Sequence, residues 1–201
     1  MSDTKIIETK RLILRPFRFE DSEECYQNYT SDPSTTLYLT WDAHESVDVT
    51  KKFILSKIPL YEKDNYYDWC VTLKKQDMTT TIIGAISAVN FSKKDKFVEV
   101  GYCYYCCCSA FWHKGYATEA LSAVIEYFFE YTDIQVISCR FISTNERSGA
   151  VMKKCHMLKT AVLKDFGYNT KENAREDIIV RAINKERYLK FKKGTSIKSV
   201  I

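Results

Sequence analysis

The sequence predicts an α/β (α+β) domain, a single mixed sheet flanked by helices. Three observations carry this expectation. Runs rich in β-branched and aromatic residues, such as "WCVTL" (69–73) and "IIGAISAVNF" (82–91), are interleaved with helical patterns. The short polar turn "SKKDK" joins "IIGAISAVNF" to "FVEVGYCYY" (97–105), as in an antiparallel meander. Ala117, Leu121, Val124, Ile125, Phe128 and Phe129 recur at i, i+4, i+7, i+8, i+11 and i+12, one face of a helix.

The elements follow in order. "RLILRPF" (11–17) is a short strand ended by Pro16. Residues 19–30 read as a helix with Glu20 and Asp21 in its first turn, where the dipole favours acids. Residues 46–57 read as a second helix, with Ser46 as N-cap and Val47, Phe53 and Ile54 among its apolar positions. Three strands come next, over 69–73, 82–91 and 97–105, and then the helix that begins near Gly115. "VISCRFIS" (136–143) is a strand, residues 146–155 a short helix, and "TAVLKDF" and "DIIVRAI" a closing pair around the polar "GYNTKENARE". The order is β, α, α, β, β, β, α, β, α, β, β, without internal repeats or low-complexity segments.

Composition narrows the class. The 201 residues suffice for one domain with a sizeable core, or two small ones, and six glycines with three prolines leave little room for a long flexible linker. No run of about 18 apolar residues occurs, so no membrane span is expected. "MSDTKIIETKRLILRP" lacks the apolar core of a signal peptide, and a cytoplasmic location is expected. The net charge of +4 is concentrated in "YLKFKKGTSIKSVI", which holds four lysines and no acid. We therefore expect a domain over 1–187, a solvated, frayed basic tail over 188–201, and no nucleic-acid partner. Eight cysteines in this context argue for free thiols. Cys103 and Cys106 form one CxxC, but no second CxxC or HxxxH completes a zinc site, and residues three apart on a strand face opposite ways. No metal is expected. Cys106–Cys108 reads as a reduced, partly exposed connection.

The stretch "FWHKGYATEAL" (111–121) carries the chemistry. Unpaired amides at a helix start, from Lys114 to Thr118, suit an anion, with the positive end of the dipole behind them. Gly115 allows a phosphate to approach the backbone, and Lys114 adds charge. Taken alone, a glycine before a helix is also an ordinary turn, and neither GxxxxGK[ST] nor GxGxxG is present.

This stretch resembles the acyl-CoA-binding loop of the GNAT acetyltransferase superfamily, Q/R-x-x-G-x-G/A, with Trp112 at the Q/R position, Gly115 at the central glycine and Ala117 at the final small residue. The form W-x-K-G-Y-A-T-E-A is similar to the branch containing the ribosomal-protein N-terminal alanine acetyltransferases. "ETKRLILRPF", "VEVGYCY", "NERSGAVMKKCHM" and the closing strand pair resemble other segments of that branch, and the resemblance spans about residues 6–185.

The resemblance implies a sheet splayed between the fourth and fifth strands, admitting the pantetheine arm of acetyl-CoA. It implies pyrophosphate on amides of His113, Lys114, Gly115, Tyr116, Ala117 and Thr118. It places the pantetheine against backbone near Cys103 and Tyr104, and Asn145 and Ser148 near the cofactor sulfur. The implied reaction is direct acetyl transfer to a primary amine, with a protein N-terminal α-amine as acceptor. A small amine (polyamine, amino sugar or antibiotic) and a non-catalytic acyl-CoA-binding module are the alternatives. A monomer or a homodimer fits equally.

Three departures stand out. "YCCCSA" is about three residues longer than usual between strand and loop. Met152 replaces the family's tyrosine acid, so Ser148, another tyrosine or no group serves. His156 stands at a glycine position that often needs a left-handed conformation. Glu99, between Val98 and Val100, faces away from both; it is either a solvated residue or the base that takes the amine proton. His113 either helps hold phosphate or packs beside Trp112. Trp41, Trp69, Tyr66 and Tyr67 read as core or rim.

Overall fold

A computed structural model describes residues 3–36, 38–39, 41–104, 114–169, 172–192 and 197–201. Its strands are β1 (Ile7–Glu8), β2 (Leu12–Arg15), β3 (Asp68–Lys74), β4 (Thr80–Ser92), β5 (Phe97–Tyr104), β6 (Val136–Ile142), β7 (Leu158–Asn169), β8 (Ala174–Asn184) and β9 (Ser199–Val200). They form one sheet in the order β7-β8-β6-β5-β4-β3-β2-β1-β9. Every adjacent pair is antiparallel except β5–β6, which is parallel. A parallel pair needs a crossover, and here the crossover is helix α4 (Tyr116–Tyr131).

Alternation along the strands separates two cores. On one face Val98 and Val100 of β5 and Ile137 and Cys139 of β6 are buried against Leu121, Val124, Ile125, Phe128 and Phe129 of α4, the stripe read from the sequence. Helix α5 (Glu146–Lys154) packs beside α4 there and buries Met152. On the other face Phe17, Cys25, Tyr29, Ile54, Tyr61, Cys70 and Ile82 form a second cluster under α1 (Ser22–Cys25) and α3 (Val47–Lys57). Lys57 docks α3 onto the sheet, donating to the buried Asp68 carboxylate at 2.5 Å. Tyr67 and Trp69 lie in the first core, and the Trp69 indole N–H donates to the Lys5 carbonyl at 2.7 Å.

The structure departs from the sequence reading in local detail. The helix expected over 19–30 is three pieces: a 3₁₀ turn at Phe19–Asp21, α1, and a wider π turn at Tyr26–Thr30. Ser46 is the N-cap of α3 in an extended conformation, but its side chain makes no capping bond. β1, a short α2 (Pro33–Thr36) and a 3₁₀ segment at Ile58–Glu62 were not read from the sequence, being too short to show a period.

The C-terminal end is not frayed as expected. Residues 185–191 form α6 (Lys185–Phe191), and Ser199–Val200 pair with Ile7–Glu8 at the sheet edge. The Ile197 amide donates to the Glu126 carboxylate, Lys192 pairs with Glu130, and Val200 and Ile197 pack on the core. Its lysine count concealed these apolar residues. Trp112, His113 and the Cys106–Cys108 run lie outside the described residues.

Candidate active site

The helix start is built as the sequence reading required. Gly115 is the N-cap of α4 at φ +79° and ψ +11°, a left-handed conformation that a side chain disfavours. Its carbonyl accepts the Glu119 amide at 3.0 Å, the first turn of the helix. A Cβ placed on Gly115 would meet, within 4 Å, the Arg11 guanidinium at 3.7 Å. Among the described residues nothing else approaches that position, which leaves room for a bulky anion. Lys114 and Gly115 are exposed, and Tyr116, Ala117 and Thr118 are partly so. These residues fit the phosphate group that the sequence reading assigned to them.

Arg11, which the sequence reading missed, holds this turn. It donates to the Lys114 carbonyl at 2.8 Å and to Glu119 Oε2 at 2.6 Å, and its guanidinium lies 4.5 Å from the centre of the Tyr116 ring. The buried Glu119 also accepts from the Thr9 hydroxyl at 2.7 Å and the Arg11 amide at 3.0 Å. Burial alone would raise its pKa, but these hydrogen bonds and the Arg11 charge outweigh burial and lower it. Arg11 and Glu119 are more than a hundred residues apart, so no local pattern links them.

The sheet opens between β5 and β6. β5 and β6 pair at Phe97–Val136, Val98–Ile137 and Glu99–Ser138. Beyond Glu99, β5 runs on to Tyr104 along β4 while β6 runs on to Ile142 along β8. The two strands thus diverge, which is the expected splay; counting β1, they are the fifth and sixth strands. A β-bulge in β4 between Ala88 and Asn90 faces Val100 and Glu99, at the point where the pairing with β6 stops. Cys103 and Tyr104 lie on the diverging part of β5.

The candidate residues divide between the two faces. Glu99 shares its face with Gly101 and Cys103. Arg140 Nε donates to Glu99 Oε1, so the carboxylate is neither unpaired nor simply solvated. The Glu99 side chain is 13% exposed and that of Arg140 48%. A Cβ on Gly101 would lie 3.0 Å from Val89, whose side chain covers it.

On the other face Asn145 caps α5, accepting the Ser148 amide at 3.2 Å. This fixes Ser148 in the first turn, close to the gap. Gly149 lets α5 approach the sheet, since a Cβ there would lie 2.7 Å from the Phe141 ring. Tyr102 of β5, another residue missed by the sequence reading, brings its hydroxyl to 2.9 Å from Ser148 Oγ. Met152 is buried and has no exchangeable proton to offer.

His156 is structural. At φ +61° it follows α5 in a Schellman motif: its amide bonds to the Lys153 carbonyl and that of Met157 to Met152. Its ring stacks on Phe191 with centroids 4.3 Å apart.

The chain thus combines a glycine-capped helix start with a parallel strand pair that splays, the frame of an α/β acyltransferase domain. In agreement, the profile of the Acetyltransferase (GNAT) domain matches residues 11–158. The chain belongs to the GNAT family and is an acetyl-CoA-dependent N-acetyltransferase. It is 28% identical to the uncharacterized N-acetyltransferase YoaA of Bacillus subtilis (strain 168), over 81% of this chain and 88% of YoaA. Its fold is similar to that of RimL, a ribosomal L7/L12 alpha-N-protein acetyltransferase solved with coenzyme A. That match has a TM-score of 0.77 and 18% identity, and covers 89% of this chain and 97% of RimL. It is also similar to the microcin C7 self immunity acetyltransferase MccE, solved with acetyl-CoA and AMP. There the TM-score is 0.75 with 17% identity, covering 87% of this chain and 93% of MccE. No helix among the described residues is long and apolar enough to cross a membrane.

Proposed function

We propose that this enzyme acetylates the N-terminal α-amine of a protein. The observation that carries the reading is the setting of Glu99. Val89, 58% exposed, and Arg140, with its side chain 48% exposed, flank it on the sheet face opposite α4 and α5. An acceptor borne on a polypeptide can lie along such an open face, whereas a small amine is usually enclosed by its pocket. RimL's acceptor is a ribosomal protein, whereas MccE belongs to microcin self immunity, so the shared fold alone does not select the acceptor.

Acetyl-CoA supplies an activated acetyl thioester. In this reading the amides of Lys114 to Thr118 and the Lys114 side chain hold its pyrophosphate, with Arg11 keeping that turn in place. Trp112 and His113, which the resemblance assigns to the same cofactor, lie outside the described residues. The diverging backbone of Cys103 and Tyr104 holds the pantetheine arm, and Asn145 and Ser148 lie near the sulfur. Glu99 accepts the proton of the incoming ammonium group, directly or through water, so that a neutral amine attacks. Ser148 donates a hydrogen bond to the sulfur as it leaves.

The test is coenzyme A release with acetyl-CoA and a panel of N-terminal peptides, polyamines, amino sugars and amine-bearing antibiotics. Acetylation located by mass spectrometry on a peptide α-amine is expected. Turnover confined to small amines would overturn the acceptor, and acetyl-CoA binding without turnover on any amine would make the protein a binding module.

A further inference from the structure

We propose that Tyr102 is a positioning residue for acetyl transfer: its hydroxyl orients Ser148 so that the serine proton points at the departing sulfur. This rests on the reading that Ser148 lies beside the thioester.

The geometry that carries it is a bond across the splay. Tyr102 stands on β5 three residues past Glu99, the last position paired with β6. Ser148 stands in the first turn of α5, the helix that follows β6. The Tyr102 hydroxyl lies 2.9 Å from Ser148 Oγ and 3.1 Å from the Ser148 carbonyl. It therefore links the two sides of the gap at the atom assigned to the leaving group.

Counting donors gives the consequence. Each hydroxyl has one proton and two lone pairs. When Tyr102 donates to the Ser148 carbonyl, Ser148 can spend its proton on the tyrosine oxygen. When Tyr102 donates to Ser148 Oγ, the serine proton is released to another acceptor. A sulfur gaining negative charge draws the pair into this second arrangement. The N-terminal end of α5 favours the same charge. Burial, with Cys139 nearby, pushes the Tyr102 phenol above the ordinary tyrosine range, although the Ser148 bond works against the shift. Tyr102 therefore stays protonated and acts as a fixed donor. The tyrosine missing from α5 at Met152 is answered by one from the neighbouring strand.

The chemical step balances without a further reagent. The N–C bond forms as the C–S bond breaks, and the C–S electron pair remains on sulfur. From the ammonium, the nitrogen loses two protons, one to Glu99 before attack and one to water as the amide forms; the sulfur gains one and the other passes to solvent. Ser148 stabilises the thiolate until its proton arrives, and solvent closes the exchange.

The experiment is a double-mutant cycle with Tyr102→Phe and Ser148→Ala. The readout is kcat and the acetyl-CoA KM with a peptide acceptor, and urea midpoints check folding. Tyr102→Phe should lower kcat about tenfold with KM within about twofold, and Ser148→Ala by about tenfold or more. The double variant should match Ser148→Ala alone, because Tyr102 acts through that hydroxyl. Ser148→Thr keeps the hydroxyl and should keep the sensitivity to Tyr102→Phe. Multiplying losses, or full kcat in Tyr102→Phe, overturns the proposal. Full kcat in Ser148→Ala would instead overturn the placement of Ser148 itself.

Discussion

Glu99 and Ser148 flank one opening from opposite faces of the sheet. Glu99 ends the stretch of β5 paired with β6, on the face of Gly101 and Cys103, and Ser148 lies in the first turn of α5 on the face of α4. An amine and a thioester that meet in the gap would have a proton acceptor on one side and a hydrogen-bond donor on the other. Direct transfer needs that division, because the nucleophile loses a proton as the leaving group gains one.

The cradle gives the first prediction. Gly115→Val places a β-branched residue at φ +79° and a side chain where phosphate approaches. Acetyl-CoA affinity, measured by calorimetry, should fall at least tenfold, about 1.4 kcal/mol. Unchanged affinity in a folded variant would remove this turn from the site.

Glu119 gives a second. Its carboxylate accepts from Thr9 and twice from Arg11, so Glu119→Gln should cost about 2 kcal/mol in urea unfolding. Because its folded pKa is lowered, the ionised form contributes stability above the ordinary carboxylate pKa of about 4.3, and this is lost as pH falls through the lower folded value. The gap between parent and variant should therefore narrow toward acid. A gap that does not change with pH would show that the charge of Glu119 is immaterial.

Gly149→Ala should destabilise the protein by about 1–3 kcal/mol, since the added methyl would lie 2.7 Å from Phe141. If α5 retreats to make room, Ser148 moves with it, and kcat should fall more than acetyl-CoA affinity. Parent stability and rate together would show that this close approach is unimportant.

On the other face, Gly101→Val should raise the acceptor KM while leaving acetyl-CoA binding within about twofold. Val89 already lies 3.0 Å from the Cβ position, so the new side chain must push into the space beside Glu99. An unchanged acceptor KM would place the amine elsewhere.

These residues also mark how far the sequence could be read. The period of Leu121, Val124, Ile125, Phe128 and Phe129 located α4 because one helix face meets one core. Gly115 was legible as a helix start, because glycine takes the left-handed conformation found there at little cost. Glu99 was legible as a polar residue between two buried valines, but not its pairing with Arg140, which comes from the neighbouring strand. Tyr102 and Arg11 went unread for the same reason: strand alternation and helix spacing say nothing about contacts made by topology. The C-terminal segment was misread because its lysines outnumber Ile197 and Val200, which dock it.

Glu99→Gln tests the account most directly. The variant keeps the size of the side chain and a hydrogen-bonding partner for Arg140, but removes the base. A peptide α-amine with a pKa near 8 is about 90% protonated at pH 7, so a lost proton acceptor acts on the chemical step. The measurement is kcat as a function of pH with a peptide acceptor, beside the acetyl-CoA dissociation constant. We predict a fall in kcat of about 10² at pH 7, partial recovery toward high pH where free amine is abundant, and an acetyl-CoA affinity within a few-fold of the parent. A variant that matches the parent at every pH would contradict the assignment of Glu99 as base. So would a normal kcat with a raised acceptor KM, which would make Glu99 an anchor for the ammonium group.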